Sequence, residues 1–336
     1  VLLPSVRTAE EIIYNKNYTH EYLSQDGLAS FNEASRNLLF GADHQILNEN
    51  RVYSIQAISG TGSLRLALDF IKQEFPNTTV YIPSVTWGNH PAMVDAVGLK
   101  QAQYSYLDKF GTGLDFASML SDISAAPEGA VILLHAIAHN PTGVDPTNEE
   151  WDRLCVVMKE KKHLPFFDNA YQGFISGDPN TDAYAVRSFA AAGMEMIVCC
   201  SFAKNFCLYG ERVGCVHTVV SDVSFVDNVG SQMRSLSRVL WSTCPAWGAR
   251  VVSTVLNDAS LNAAWLKDVR VMADRIADIR VALHAKLNEM NIKSSTGTWD
   301  HIKKQRGMFS FTGLSKEAVL KLKDRHIYML SSGRVS

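Results

Sequence analysis

The chain has 336 residues, more than the roughly 250 to 300 at which a single hydrophobic core stops growing, so one large domain plus part of a second is expected. A composition that is 46% hydrophobic and 20% charged is that of an ordinary soluble globular protein and excludes a disordered or fibrous one. With 32 basic against 34 acidic residues the net charge is -2, which offers no global field to nucleic acid or an anionic membrane, so neither is expected as a partner.

Six cysteines (Cys155, Cys199, Cys200, Cys207, Cys215 and Cys244) show no paired metal spacing. No metal is expected from them, and a chain this long needs no disulfide staples, so a reducing compartment fits, with the cytoplasm as the default. The opening VLLPSVRTAEEIIYNK is amphipathic and mixed in charge, unlike a secretory signal. No run approaches the roughly 18 apolar residues of a membrane span. The chain begins at Val1, so a mitochondrial or other organellar leader upstream is compatible with it.

Taken in order, the first predicted elements are a short strand, YSIQAI, and a helix, LRLALDFIKQEF, that places Leu64, Ala67, Leu68, Ile71 and Phe75 on one face. Apolar runs follow as strands: VYI at 80 to 82, AVILLHA at 130 to 136, LPFF at 164 to 167, MIVCCSF at 196 to 202 and VGCVHTVV at 213 to 220. NEEWDRLCVVMKEKK reads as an amphipathic helix among them. Strands alternating with helices imply an α/β fold with an open, mainly parallel sheet. From about Asn257 to Asn291 one long helical pattern runs with few breakers, and a second, small α/β region begins near Ile292. The expected division is a large domain over 1–270 and a partial small one over 271–336, entered by that helix. No internal repeat or low-complexity tract interrupts the pattern.

Ligands of open parallel sheets gather beyond the carboxyl ends of the strands. After MIVCCSF comes Lys204, where burial would lower an amine pKa enough to make it nucleophilic and able to form a Schiff base. LPFF is followed by Asp168 and Tyr171, and that carboxylate could pair with a pyridinium nitrogen. AVILLHAIA leads into His139-Asn140-Pro141-Thr142-Gly143, whose Asn140 amide could donate to a phenolate oxygen. Ser59-Gly60-Thr61-Gly62 opens a helix whose backbone N–H groups would cradle a phosphate. Each feature alone has an ordinary explanation as a turn, a cap or a solvated strand end. A dinucleotide fingerprint at GTGSLR ranks lower, because Arg65 stands where its third glycine belongs and no acidic residue ends the next strand. Neither a G-x-S-x-G elbow nor an HExxH motif is present.

SGTG, PSVTWGNH, LLHAIAHNPTGVDPT, FFDNAYQGF, SFAKNFCLYGERVG, MADRI, GMFSFTGL and SSGR occur in that order over nearly the whole chain. Together they resemble the aspartate aminotransferase family, the class I pyridoxal-phosphate-dependent aminotransferases. The resemblance implies fold type I, pyridoxal 5'-phosphate as cofactor and a two-fold homodimer with shared active sites. It matches Lys204 to the lysine that carries the cofactor and moves the substrate proton, and Asp168 to the carboxylate that keeps the pyridine nitrogen protonated. Asn140 and Tyr171 match the donors to the phenolate oxygen, and Trp87 the indole stacked on the ring. Ser59, Gly60, Thr61, Ser201 and Arg212 match the phosphate cradle. Arg334 matches the clamp on the substrate α-carboxylate and Arg238 the reader of a side-chain carboxylate; Arg238 and Tyr22 would serve the neighbouring subunit. His90 and His135 match positions near the pyridine edge.

Aspartate and 2-oxoglutarate are the substrates so implied, exchanged by ping-pong kinetics. Three departures stand out: Cys207 replaces a usual glycine, Ala203 a frequent serine and Thr243 a usual asparagine. Relative to the family, an N-terminal arm and a closing helical region are expected to lie outside the 336 residues. Two other readings accompany the leading one: a broader aminotransferase that also accepts aromatic amino acids, and a cofactor-binding or interface-forming fragment without catalysis.

Overall fold

The apolar runs of the sequence are strands, and their side chains are buried on both faces of one sheet. In the computed structural model, which describes residues 2–294 and 297–335, that sheet contains β1 (Val52–Ile58), β2 (Thr79–Pro83), β3 (Lys100–Tyr104), β4 (Val131–His135), β5 (Leu164–Asn169), β6 (Met196–Ser201) and β7 (Val213–Val219). Their spatial order is β1-β7-β6-β5-β4-β2-β3. Alternate residues of β4 serve opposite cores: Ile132 and Leu134 pack on one side, Val131 and Leu133 on the other. β5 and β6 divide likewise, with Phe167 and Val198 opposed to Phe166 and Ile197. A strand covered on both faces has no reason to alternate in polarity, hence the unbroken apolar runs.

The Ser59–Glu74 helix covers one face and buries Leu64, Ala67, Leu68 and Ile71, as its spacing predicts. Phe75 departs from that expectation. The helix stops at Glu74, and Phe75 sits past its end, 51% exposed; the following proline disfavours helical backbone in the residue before it. The opposite face is covered in part by the Asn148–Glu160 helix, which begins with a capping box. Thr147 Oγ1 accepts from the Glu150 N–H at 3.2 Å and the Glu150 carboxylate accepts from the Thr147 N–H at 2.8 Å.

Most neighbouring strands are parallel, but β7 runs against both β1 and β6. The reversal has a consequence for the site: the start of β7, and with it Arg212, lies at the same edge as the ends of β1, β5 and β6. Strand β3 is an addition to the sequence expectation. Its KQAQY is mostly exposed, so no apolar run marks it.

The long helical pattern is one helix, Ala259–Glu289, capped where Asp258 Oδ1 accepts from the N–H groups of Ser260 and Leu261, each at 2.9 Å. Trp265 pins this helix to the loop that carries Lys204: it is fully buried, stacks on Phe206 at 4.6 Å, and donates its indole N–H to the Asn205 carbonyl at 2.9 Å. Beyond the helix lie the Asp300–Lys304 and Lys316–Lys323 helices and an antiparallel pair, β8 (Ser310–Phe311) and β9 (Arg334–Val335). In that pair Arg334 stands opposite Phe311. Among the described residues no helix is long and apolar enough to cross a membrane.

Replacing Trp265 by alanine removes a buried aromatic contact and a buried hydrogen bond together. Trp265→Ala is expected to destabilise the protein by about 3–5 kcal/mol, measured as a lower urea midpoint with an unchanged slope.

Candidate active site

At the edge where β1, β5 and β6 end and β7 begins, a cavity of about 280 Å³ is lined by Ser59, Gly60, Thr61, Trp87, Asn140, Asp168, Tyr171, Lys204, Arg212 and Arg334. Residues scattered over 276 positions of sequence (334 − 59 + 1) thus share one small space. Ser201 stands behind the wall, its hydroxyl 3.1 Å from that of Ser59. Tyr22 and Arg238 are exposed and lie outside this cavity. Tyr22 instead lines a separate, larger hollow of about 740 Å³ with Thr243 and Trp247.

One corner is built for an anion. The Ser59–Glu74 helix has no side-chain cap, and past Ser59, whose N–H donates to the Arg212 carbonyl at 3.0 Å, its first turn presents the positive end of the helix dipole. Ser59 and Thr61 hydroxyls and the exposed Arg212 surround that end. Among the described residues no carboxylate pairs with Arg212, whose Nη1 donates to the Tyr209 carbonyl at 3.0 Å. The backbone here is strained: Ser59 (φ 57) and Arg212 (φ 53) are left-handed without being glycine. Gly214 makes the arrangement possible, since a Cβ there would lie 2.5 Å from the Ser59 carbonyl oxygen.

The floor is a buried acid. Asp168, the next-to-last residue of β5, is 7% exposed and accepts from His90 Nε2 at 3.0 Å. His90 Nδ1 is 2.8 Å from the Thr86 hydroxyl, which is 2.9 Å from His135 Nε2. One proton order satisfies the chain: His135 donates to Thr86, Thr86 to His90, and His90 to Asp168. Burial holds His135 well below the ordinary imidazole range, with like charge from His139 and His90 adding to the effect, which keeps it neutral. For Asp168 burial opposes the charged form, yet the His90 hydrogen bond and the positive charge around it, Lys204 included, outweigh that and hold the carboxyl below its usual range.

Lys204 faces this acid. Burial lowers its ammonium pKa, Asp168 pulls it back up, and Arg212 lowers it further. Its Nζ lies 4.8 Å from the centre of the Tyr171 ring. The Tyr171 hydroxyl is raised by burial first and by Asp168 next, while Arg334 and a hydrogen bond with Asn140 work the other way. Asn140 Oδ1 also accepts from Arg334 Nη1 at 3.0 Å, and the Arg334 guanidinium lies 4.3 Å from the centre of the Phe309 ring. Trp87 closes one side, edge-to-face with His90 at 5.4 Å. Cys207, three residues past Lys204, has φ 54, the left-handed backbone that glycine would take without strain. Tyr209, Phe309 and Ala170 also line the cavity and were not singled out from the sequence; the first two are aromatics within stretches that carried the resemblance.

A half-buried lysine opposite a buried carboxylate, beside an anion corner and an arginine fork on an α/β sheet, defines a pyridoxal-phosphate-dependent transaminase of fold type I. The chain belongs to the aminotransferase class I and II family, whose model matches residues 2–336. It is 44% identical over 338 residues to the cytoplasmic aspartate aminotransferase of Oryza sativa subsp. japonica, covering 100% of this chain and 82% of that protein. Its fold matches aspartate aminotransferase from Saccharomyces cerevisiae cytoplasm with a TM-score of 0.96 at 41% identity, over 100% of this chain and 83% of the other. An aromatic-amino-acid aminotransferase from Burkholderia pseudomallei, solved covalently bound to pyridoxal phosphate, matches with a TM-score of 0.96 at 36% identity over 100% and 83%.

The residues present fit pyridoxal phosphate by their own chemistry. The uncapped helix end and unpaired Arg212 call for a phosphate, Lys204 supplies an amine, and Asp168 supplies a buried anion for a protonated ring nitrogen.

The opposed influences on Lys204 give a signed test. Asp168→Asn is expected to lower the Lys204 pKa further, because the anion that raises it is gone, and Arg212→Leu to raise it. Competitive acylation of Lys204 across pH in cofactor-free protein, followed by peptide mass spectrometry, reads both shifts.

Proposed function

We propose that the chain catalyses amino transfer from L-aspartate to 2-oxoglutarate, giving oxaloacetate and L-glutamate by a ping-pong route. The observation that carries this reading is the meeting of Lys204, Asp168 and Arg334 in one cavity, with Asn140 bonded to the arginine at 3.0 Å. When bound, pyridoxal phosphate supplies an electron sink for the charge left at the substrate Cα and a carbon that carries the amino group between substrates.

In this proposal Ser59, Gly60, Thr61, Ser201 and Arg212 hold the phosphate, and Trp87 lies on the ring face. Asp168 keeps a proton on the ring nitrogen, and Asn140 and Tyr171 donate to the phenolate oxygen. Lys204 anchors the cofactor and then, as a free amine, takes and returns the proton at the substrate Cα. Its lowered pKa favours the neutral form that this step needs. Arg334 takes the substrate α-carboxylate as a fork.

Arg238 and Tyr22 serve the site of a neighbouring chain in a homodimer, a role supported by their exposure and by their absence from this chain's own cavity. Two arginine forks then measure a dicarboxylate. The same proposal divides the chain at about residue 270, on the Ala259–Glu289 helix, into a larger cofactor-binding part and a smaller part that brings Arg334. It assigns the protein to the cytosol, a reducing compartment that suits six free cysteines.

A broader specificity that includes aromatic amino acids is the second reading, favoured by the match of this chain to the aromatic-amino-acid aminotransferase from Burkholderia pseudomallei. The ratio of kcat/KM for aspartate to that for phenylalanine separates the two.

The deciding experiment is oxaloacetate release from aspartate by the loaded protein. Wild type is expected to turn over, Lys204→Ala to lose about 10⁴-fold or more in kcat, and Arg334→Leu to raise KM for both substrates. Equal turnover by wild type and Lys204→Ala would refute the proposal.

A further inference from the structure

Arg280 is a buried cation that the proposed reaction leaves unused. It lies on the Ala259–Glu289 helix at 7% exposure, and no carboxylate among the described residues pairs with it. A guanidinium so buried is costly unless its protons are engaged. Here the two terminal nitrogens are engaged by one short stretch of chain, while the buried Nε has no hydrogen-bond partner among the described residues. Nη1 donates to the Ile302 carbonyl at 3.3 Å, and Nη2 to the Gly307 carbonyl at 2.8 Å and to the Phe309 carbonyl.

That stretch is itself locked against the turn that carries Asn140. The Arg306 N–H donates to the Gly143 carbonyl at 2.6 Å. A Cβ on Gly143 would lie 2.7 Å from the carbonyl oxygens of both Arg306 and Phe309, and one on Gly307 would lie 2.5 Å from the Ala138 Cβ. Glycine at both positions lets the backbones touch. At the end of the stretch the Phe309 ring supports the Arg334 guanidinium at 4.3 Å and meets the Tyr171 ring edge-on at 5.8 Å. The path from Arg280 to the cavity is therefore one carbonyl and one ring.

We infer that Arg280 is a positioning residue for substrate-carboxylate recognition: by gripping the carbonyls of Ile302, Gly307 and Phe309 it fixes the Phe309 ring, and through it the place of Arg334. The inference rests on the proposed role of Arg334 and deepens it. The work asked of Arg280 is geometric, since a planar fork reaches carbonyls on two sides where an ammonium is a single point donor.

The test uses the full chain loaded with pyridoxal phosphate, with succinate as a non-reacting dicarboxylate probe in calorimetry. Arg280→Met and Arg280→Lys are each expected to weaken succinate binding about ten-fold or more, to raise KM for aspartate by more than kcat falls, and to leave cofactor affinity within about three-fold of wild type. Unchanged succinate binding overturns the inference, as does a loss of succinate and cofactor affinity in equal proportion, which marks a general structural role. If the methionine variant does not fold, the lysine variant, which keeps the charge, decides by the same readings. Wild type that turns over normally alongside variants with unaltered succinate binding sinks the inference alone. A wild type that neither turns over nor binds succinate removes the proposed function and this inference with it.

Discussion

The organisation of the site follows from keeping the Asp168 carboxylate charged at the closed end of a β-strand. A carboxylate 7% exposed is expensive unless donors and positive charge surround it. The structure supplies His90 at 3.0 Å, backs His90 with Thr86 and His135, and sets Lys204 across the cavity. Each partner is altered in return. His135 stays neutral because it is buried, and Lys204 is driven toward its neutral form by burial and held back by the acid it faces. An acid held charged opposite an amine whose pKa burial lowers separates the two duties that amino transfer requires, anchoring a cationic ring and moving a proton.

Sheet topology puts these groups within reach. The ends of β5 and β6 bring Asp168 and Ser201, and the end of β1 leads straight into the uncapped helix at Ser59. The reversed β7 brings Arg212 to the same edge from the other direction. Ser59 and Arg212 adopt left-handed backbone there, as does Cys207 on the lysine loop. Conformational strain gathers where the chain must aim groups at one point, and the packed strands on either side absorb it.

Much of this was legible in the sequence because it is local. Strands buried on both faces announce themselves as apolar runs; the polar residues that follow the parallel runs fall at the ligand edge, while for the reversed β7 it is the residue before the run, Arg212. β3 was not legible, since an exposed edge strand of Lys, Gln and Ala carries no such signal. Phe75 was misplaced because helical spacing says nothing of where a helix stops, although Pro76 did. The joint between Gly143 and the stretch ending at Phe309 was out of reach for a different reason: it links residues more than 160 positions apart (309 − 143 = 166) through backbone contact, which no spacing reports. Arg280 looked like any charge on a helix, and only burial sets it apart.

The central claim, that one amine in this chain is set apart by burial and by a facing acid to carry the cofactor, is tested most directly by loading the full chain with pyridoxal phosphate, reducing with borohydride and mapping the labelled peptides. The account predicts one label per chain, on Lys204, at cofactor concentrations that leave the exposed lysines unmodified. A label spread over surface lysines, or concentrated on any lysine other than Lys204, would contradict it.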